Sequence, residues 1–269
     1  MKNKALKNKI KAKEHDYQIW RRVRVNDTLK TMFERRSVRA FTEREISAED
    51  KMTVLRATAS APTAGNQQLY TILDITDPKM RIRLSETCDH QPFIAEAKMI
   101  LIFCADCLKW YRAFQMTGCS PREPGEGDLL LAVSDANIAA QNAVIAAESL
   151  GIGSCYIGDI MENCEIHREM LRLPPYVFPA AMLVFGYPTE QQKNRISPER
   201  APLDRIVSAN IYPDMDEAYM KALFSSKAKT KSYEDWMNAF CARKYNSDFA
   251  REMTRSVKQY LKSFSDNKG

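Results

Sequence analysis

The chain has 269 residues, 45% of them hydrophobic and 28% charged, an ordinary balance for a soluble globular protein of one large domain or two small ones. Its formal net charge of +6 is concentrated at one end: residues 1–26 hold nine Lys or Arg and two acidic groups, while the other 243 hold 31 basic and 32 acidic. A basic appendage on a near-neutral body gives no ground for a nucleic-acid-binding surface. The longest apolar run, 99–105, is too short to span a bilayer, and the N-terminus lacks the apolar stretch of a signal peptide. Seven cysteines at irregular spacing suit reduced thiols. Together these features predict a cytoplasmic protein with neither nucleic acid nor membrane as a partner.

In chain order, residues 1–26 read as a basic helical extension with few apolar contacts. The next helix, over about 28–34, has Asp27 or Thr28 as its cap and Leu29, Met32 and Phe33 as its apolar face. Ser47 with Asp50 resembles a capping box and opens a helix to about residue 60 that buries Met52, Leu55 and Ala59. The turn-rich stretch 61–68 leads into a strand over 69–75, and Asp77-Pro78 starts a short helix to about 86. Residues 99–105 have the unbroken apolar character of a strand buried on both faces. A helix over 108–116 precedes a charged Pro/Gly loop, 121–128, which reads as a mobile lid.

The longest helical pattern, 129–150, is rich in alanine and closed by Gly151. Strands follow over 152–157 and 180–185, with a helix over 162–171 between them. Residues 205–212 look extended, and from Asp214 the chain holds two or three amphipathic helices. Strands interleaved with helices predict an α+β (or α/β) domain over 27–212, with helical extensions at 1–26 and 213–269.

Where the first of these helices stops, Arg35-Arg36-Ser37-Val38-Arg39-Ala40-Phe41 puts three guanidinium groups and a hydroxyl into five residues. Arginine's planar fork matches phosphate and keeps its charge, so the cluster suits a dianionic phosphate; a solvated basic turn is the plainer alternative. Phe41 is placed to anchor the exit in the core. Cys104-x-x-Cys107 lacks a second ligand pair at zinc spacing, and Cys104 is expected to pack in its strand. His15, His90 and His167 are too scattered for a metal site, and His167 reads as a surface residue. Trp110, Tyr111 and Phe114 could line a pocket or simply bury the face of their helix.

Five stretches stand in an order that resembles the nitroreductase family of FMN-dependent NAD(P)H oxidoreductases, over about residues 30–212. They are RRSVRAF at 35–41, APTAGNQQ at 61–68, QPFIAEA at 91–97, AAQNAVIAAESLGIGSCYIG at 139–158, and FGYP at 185–188 with RAPL at 200–203. The resemblance implies a mostly antiparallel central sheet flanked by helices, in an intertwined homodimer with one FMN per subunit. By the same resemblance, Arg35, Ser37 and Arg39 serve the FMN phosphate and the nearby flavin edge. Arg36 bonds through its backbone or to the ring's carbonyl side. Pro62, Thr63, Asn66 and Gln68 contact the flavin from the partner subunit, and backbone near Tyr156, Ile157 and Gly158 approaches its reactive nitrogen. Arg200 is the candidate for a second phosphate arginine, with Arg195 standing in for the family's basic residue where this chain has Pro198. The activity so implied is ping-pong transfer of a hydride from NADH or NADPH through flavin N5 to a small-molecule acceptor (a nitroaromatic, a quinone or a flavin). The alternatives are a specialised dehydrogenase of one metabolite and a binding or scaffold protein that keeps the fold.

Overall fold

A computed structural model describes residues 26–225, 227 and 232–265; the basic extension expected before residue 26 lies outside the described residues. Eleven α-helices and four strands follow in the order α1 (Asp27–Glu34), α2 (Ala48–Ala59), β1 (Tyr70–Asp74), α3 (Pro78–Thr87), α4 (Pro92–Glu96), β2 (Met99–Asp106), α5 (Leu108–Met116), α6 (Glu126–Ser149), β3 (Gly153–Ile157), α7 (Cys164–Leu171), β4 (Val177–Gly186), α8 (Glu190–Lys193), α9 (Glu217–Phe224), α10 (Tyr233–Lys244) and α11 (Asp248–Ser265). The strands form one sheet in the order β1-β2-β4-β3, with every neighbouring pair antiparallel. This is an α+β architecture.

The two central strands explain why the sheet holds. All eight residues of β2 and all ten of β4 are buried. Side chains alternate across a strand, so β2 feeds two cores. Met99, Leu101, Phe103 and Ala105 join the core under α6, while Ile100, Ile102 and Cys104 join the one under α3 and α4. Pro179 sits inside β4 where the register against β2 shifts at Phe103/Cys104; a bulge is where a strand tolerates a residue with no N–H to give.

Helix α6 is the scaffold of the first core. Its stripe of Ala132, Ala136, Ala139, Ala140, Ala143 and Ala147 is fully buried, and small side chains let α2 and the sheet come close. Gly151, at φ +74°, ends the helix in the left-handed conformation that glycine adopts without strain. Among the described residues α6 alone is long and apolar enough to cross a membrane, and here it is the packed central helix. Helix α11 also reaches this core, burying Tyr260 and Phe264.

Several sequence expectations are corrected. Asn26, one residue earlier than expected, caps α1 by accepting from Leu29 N at 3.0 Å. In α1, Met32 and Phe33 are 50% and 56% exposed and no residue is buried. Ser47 caps α2 as expected, but α2 buries Val54 and Thr58 and leaves Met52 and Ala59 exposed. The Thr58 hydroxyl donates to Val54 O within its own helix, so a polar residue can face the core while Met52 faces outward. Segment 205–212 forms no strand; a short 3-10 turn at Leu203–Arg205 precedes it, and Ile206, Val207 and Ile211 stay exposed. The 121–128 loop ends early, because α6 begins at Glu126, with Asp128 accepting from Gly125 N at 2.9 Å and pairing with Arg122.

Candidate functional site

The arginine segment lies along the free edge of the sheet. Val38 N donates to Ser154 O at 2.9 Å, Ser37 bridges to Ser154, and Phe41 bridges to Pro188 just beyond β4. Two glycines make this approach possible. A Cβ on Gly153 would stand 2.5 Å from Val38 Cγ2, and one on Gly186 would stand 2.6 Å from Phe41 Cδ1, distances real contacts do not reach. The segment is thereby held beside β3 through isolated bridges, with Val38 buried.

The side chains on its other face line a cleft of about 440 Å³ with Met32 and Phe33 of α1 and the loop after α8. Arg35, Arg36, Ser37, Arg39, Arg195 and Arg200 all stand on its wall. Among the described residues, Arg35, Arg39, Arg195 and Arg200 make no salt bridge, and the buried Nε of Arg35 has no hydrogen-bond partner. Guanidinium groups crowded without a counter-charge repel one another and favour an anion between them. Arg36 behaves differently. Its guanidinium donates to the carbonyls of Lys193 at 2.7 Å and Arg195 at 2.5 Å, and to Glu34 O at 3.3 Å. It ties the end of α1 to the late-arginine loop, a use of the side chain that the sequence reading did not foresee.

Beneath the cleft, the buried thiol of Cys155 is pushed up by desolvation, which Arg39 and Arg35 partly oppose. Glu148, near the end of α6, is likewise raised by burial and held back by Arg35 and Arg36. Tyr156 is 40% exposed, its hydroxyl 3.3 Å from Gln141 Oε1, and burial of that group pushes it up to about 12. Ile157 is buried, whereas the free side of Gly158 is open, with only Met161 Cε at 4.0 Å from where a Cβ would be.

The second group of expected site residues is elsewhere. Pro62, Thr63, Asn66 and Gln68 lie in the loop that leads into β1, at the opposite edge of the sheet from β3. Residues Gly65, Asn66 and Gln68 all take positive φ, between 49° and 58°. The loop keeps this shape through Asp135 of α6, which is 2% exposed. Asp135 accepts from the Thr63 hydroxyl, from Ala64 N at 3.0 Å and from Leu69 N at 3.2 Å. The Thr63 hydroxyl oxygen in turn accepts from Gln68 N at 2.8 Å, and Gln68 Nε2 donates to Ala59 O at 3.1 Å. From the other side, Trp110 Nε1 donates to Gln67 O at 2.9 Å and Lys109 Nζ to Gln68 O at 3.0 Å. Asn66 and Pro62 remain exposed. Within one chain, then, the arginine cleft and this loop are not brought together.

The sequence reading missed Asp135, and it placed His167 wrongly on the surface. His167 is fully buried, its ring nitrogens 3.0 Å from Ile160 O and 2.9 Å from Thr87 Oγ1, and desolvation lowers its pKa. Cys104 packs in its strand as expected, and burial pushes its thiol up to about 12. Trp110 and Phe114 bury little: both are over a third exposed, with rings 5.7 Å apart. No cluster of three or more metal-ligating side chains occurs among the described residues.

An antiparallel α+β sheet with an arginine segment added along one edge defines a recognisable class of fold. The Nitroreductase family model matches residues 32–187, more than half of the chain, and the chain belongs to that family. It is 33% identical over 194 residues to the oxygen-insensitive NADPH nitroreductase of Salmonella typhimurium, covering 72% of this chain and 78% of that one. It is 29% identical over 238 residues to an FMN reductase [NAD(P)H] of Bacillus subtilis, covering 88% and 91%. Among solved structures, NfrA2 of B. megaterium superimposes with a TM-score of 0.77 at 27% identity, over 88% of this chain and 98% of that one.

Proposed function

We propose that the chain is an FMN-dependent oxidoreductase that passes a hydride from NADH or NADPH to a small oxidised acceptor, such as a nitroaromatic, a quinone or a flavin. The observation that carries this reading is the set of guanidinium groups around one cleft at the β3 edge that make no salt bridge among the described residues, with the Arg35 Nε buried and without a hydrogen-bond partner there. The FMN reductase and NADPH nitroreductase among its relatives favour a flavin phosphate as the anion. When bound, FMN would supply the redox chemistry that links oxidation of the nicotinamide to reduction of the acceptor, in the ping-pong order proposed here.

The residues of the chain then bind, orient and shield. Arg35, Arg39, Ser37, Arg195 and Arg200 hold the phosphate, with both late arginines sharing the task. Arg36 acts at one remove by fixing the late-arginine loop. The open face at Gly158, next to Tyr156 and Ile157, would leave the backbone after β3 accessible to the flavin ring. No side chain here is asked to act as a nucleophile or general base.

The site is completed by a second copy of the chain. The loop with Pro62, Thr63, Asn66 and Gln68 stands at the other edge of the sheet, so it reaches a flavin only across a subunit boundary. Exposed apolar residues support a homodimer: Leu130, Leu131 and Ile138 on α6, with Met32 and Phe33 beside the cleft, leave a face that water disfavours. Residues 27–212 form the flavin-binding unit.

The test is the visible absorption spectrum of FMN-loaded protein before and after anaerobic NADH and NADPH. A two-band flavin spectrum that bleaches with a nicotinamide, and returns when menadione or nitrofurazone is added, is the expected result. Protein that stays colourless after incubation with FMN removes the enzyme reading and favours a binding protein that keeps the fold.

A further inference from the structure

We infer that Asp135 is the positioning residue through which each subunit presents its 61–68 loop to the flavin held by the other subunit. The inference rests on the flavin reading above and adds a residue that no part of that reading assigns. A carboxylate 2% exposed in the middle of an alanine-lined helix is costly to bury unless its oxygens are satisfied. Those of Asp135 are satisfied almost wholly by one loop. Oδ2 takes the Thr63 hydroxyl and Leu69 N, and Oδ1 takes Ala64 N. These donors stand at the entrance, the first turn and the exit of the loop.

The geometry of the loop shows why it needs such a fixture. Asn66 and Gln68 adopt the left-handed conformation that non-glycine residues disfavour, and such backbone persists only where surrounding bonds over-determine it. Because Asp135 belongs to α6, whose alanine stripe is buried in the core, the loop inherits the position of the core. Asn66, exposed at the tip, is then held outward for a ligand that its own chain does not supply. Asparagine in place of Asp135 keeps the size but turns one acceptor into an N–H₂ donor facing a backbone N–H or a hydroxyl. Loss of hydrogen bonds to a charged acceptor converts to roughly ten- to hundredfold in affinity.

The experiment exploits the crossed arrangement. Differently tagged Asp135→Asn and Arg35→Ala chains are co-expressed, and the heterodimer is isolated by sequential affinity steps. Its FMN binding is titrated by flavin fluorescence and compared with both mutant homodimers. If the loop serves the other subunit, one site of the heterodimer combines both lesions and the other has neither. The expected result is one FMN per dimer at wild-type affinity, with both homodimers weakened tenfold or more. A heterodimer with no wild-type site, or an Asp135→Asn homodimer with unchanged FMN affinity, overturns the inference. An Arg35→Ala homodimer that binds FMN normally overturns the phosphate reading instead, so the two failures are told apart. A merely structural role for Asp135 would weaken the site on its own chain and could not leave one site intact. Should Asp135→Asn not fold, Thr63→Val, which removes the hydroxyl donated to Asp135, takes its place in the same heterodimer with the same two outcomes.

Discussion

The two edges of the sheet are built on opposite principles. At the β1 edge, the 61–68 loop is bonded to Asp135, Ala59, Lys109 and Trp110. At the β3 edge, four arginines face a cleft and make no salt bridge among the described residues, and one buried guanidinium nitrogen has no partner. A fully bonded loop is a fixture; a cleft of unpaired cations is a receptor. Unsatisfied buried polar groups cost stability, so the retention of the Arg35 Nε beside three further guanidinium groups is what points to a ligand at the β3 edge.

The comparison can be broken most severely where the receptor is attached. Gly153→Ala puts a methyl group 2.5 Å from Val38 Cγ2 and must push the arginine segment off β3. We expect a loss of about 2–3 kcal/mol of stability, since overpacking costs this much, together with loss of FMN binding, read by thermal melting and flavin titration. Normal FMN affinity in this variant would mean that the segment's place beside β3 is not what assembles the cleft.

Glu162 sharpens the contrast, because it is a buried carboxyl among other acidic groups, outside either site. It is 5% exposed, and burial, then the charges of Asp159, Glu252 and Asp89, raise its carboxyl pKa to about 7. The folded chain therefore holds this proton more tightly than the unfolded chain does. The contribution is most favourable below the ordinary carboxyl pKa of 4.5 and is lost as pH rises to about 7. Glu162→Gln is expected to raise stability by about 1–3 kcal/mol at pH 8 and by little at pH 4.5. Chemical denaturation at the two pH values decides it; a variant less stable at pH 8 would mean that the charge is compensated.

The mildest intervention is Arg36→Ala. It frees the carbonyls of Lys193 and Arg195 and leaves the four other guanidinium groups of the cleft in the sequence. FMN affinity should fall several-fold, corresponding to about 1 kcal/mol for hydrogen bonds exposed to solvent, with little change in melting temperature. A loss as large as that of Arg35→Ala would make Arg36 a direct ligand.

Much of this could be read from the sequence, and the exceptions have physical causes. The apolar run at 99–105 announces a strand buried on both faces because nothing in it needs water. The arginine cluster was visible because its chemistry is local. The role of Arg36 was not, since its partners lie more than 150 residues away. Asp135 left a signal that went unused: it falls on the same helical stripe as Ala132, Ala136 and Ala139, where a surface carboxylate has no business. His167 was misjudged because a polar side chain with partners can be buried as completely as leucine. Residues Ile206, Val207 and Ile211 are the reverse case: the segment that looked extended pairs with no strand and leaves them exposed.

The central claim is that the β3-edge cleft holds the phosphate of FMN, and the most direct measurement compares the affinities of FMN and riboflavin for the wild-type chain and for Arg35→Ala. The account predicts that the wild-type chain prefers FMN by roughly a hundredfold or more and that Arg35→Ala loses most of this preference by weakening FMN alone. Equal affinity of the wild-type chain for the two flavins would contradict it.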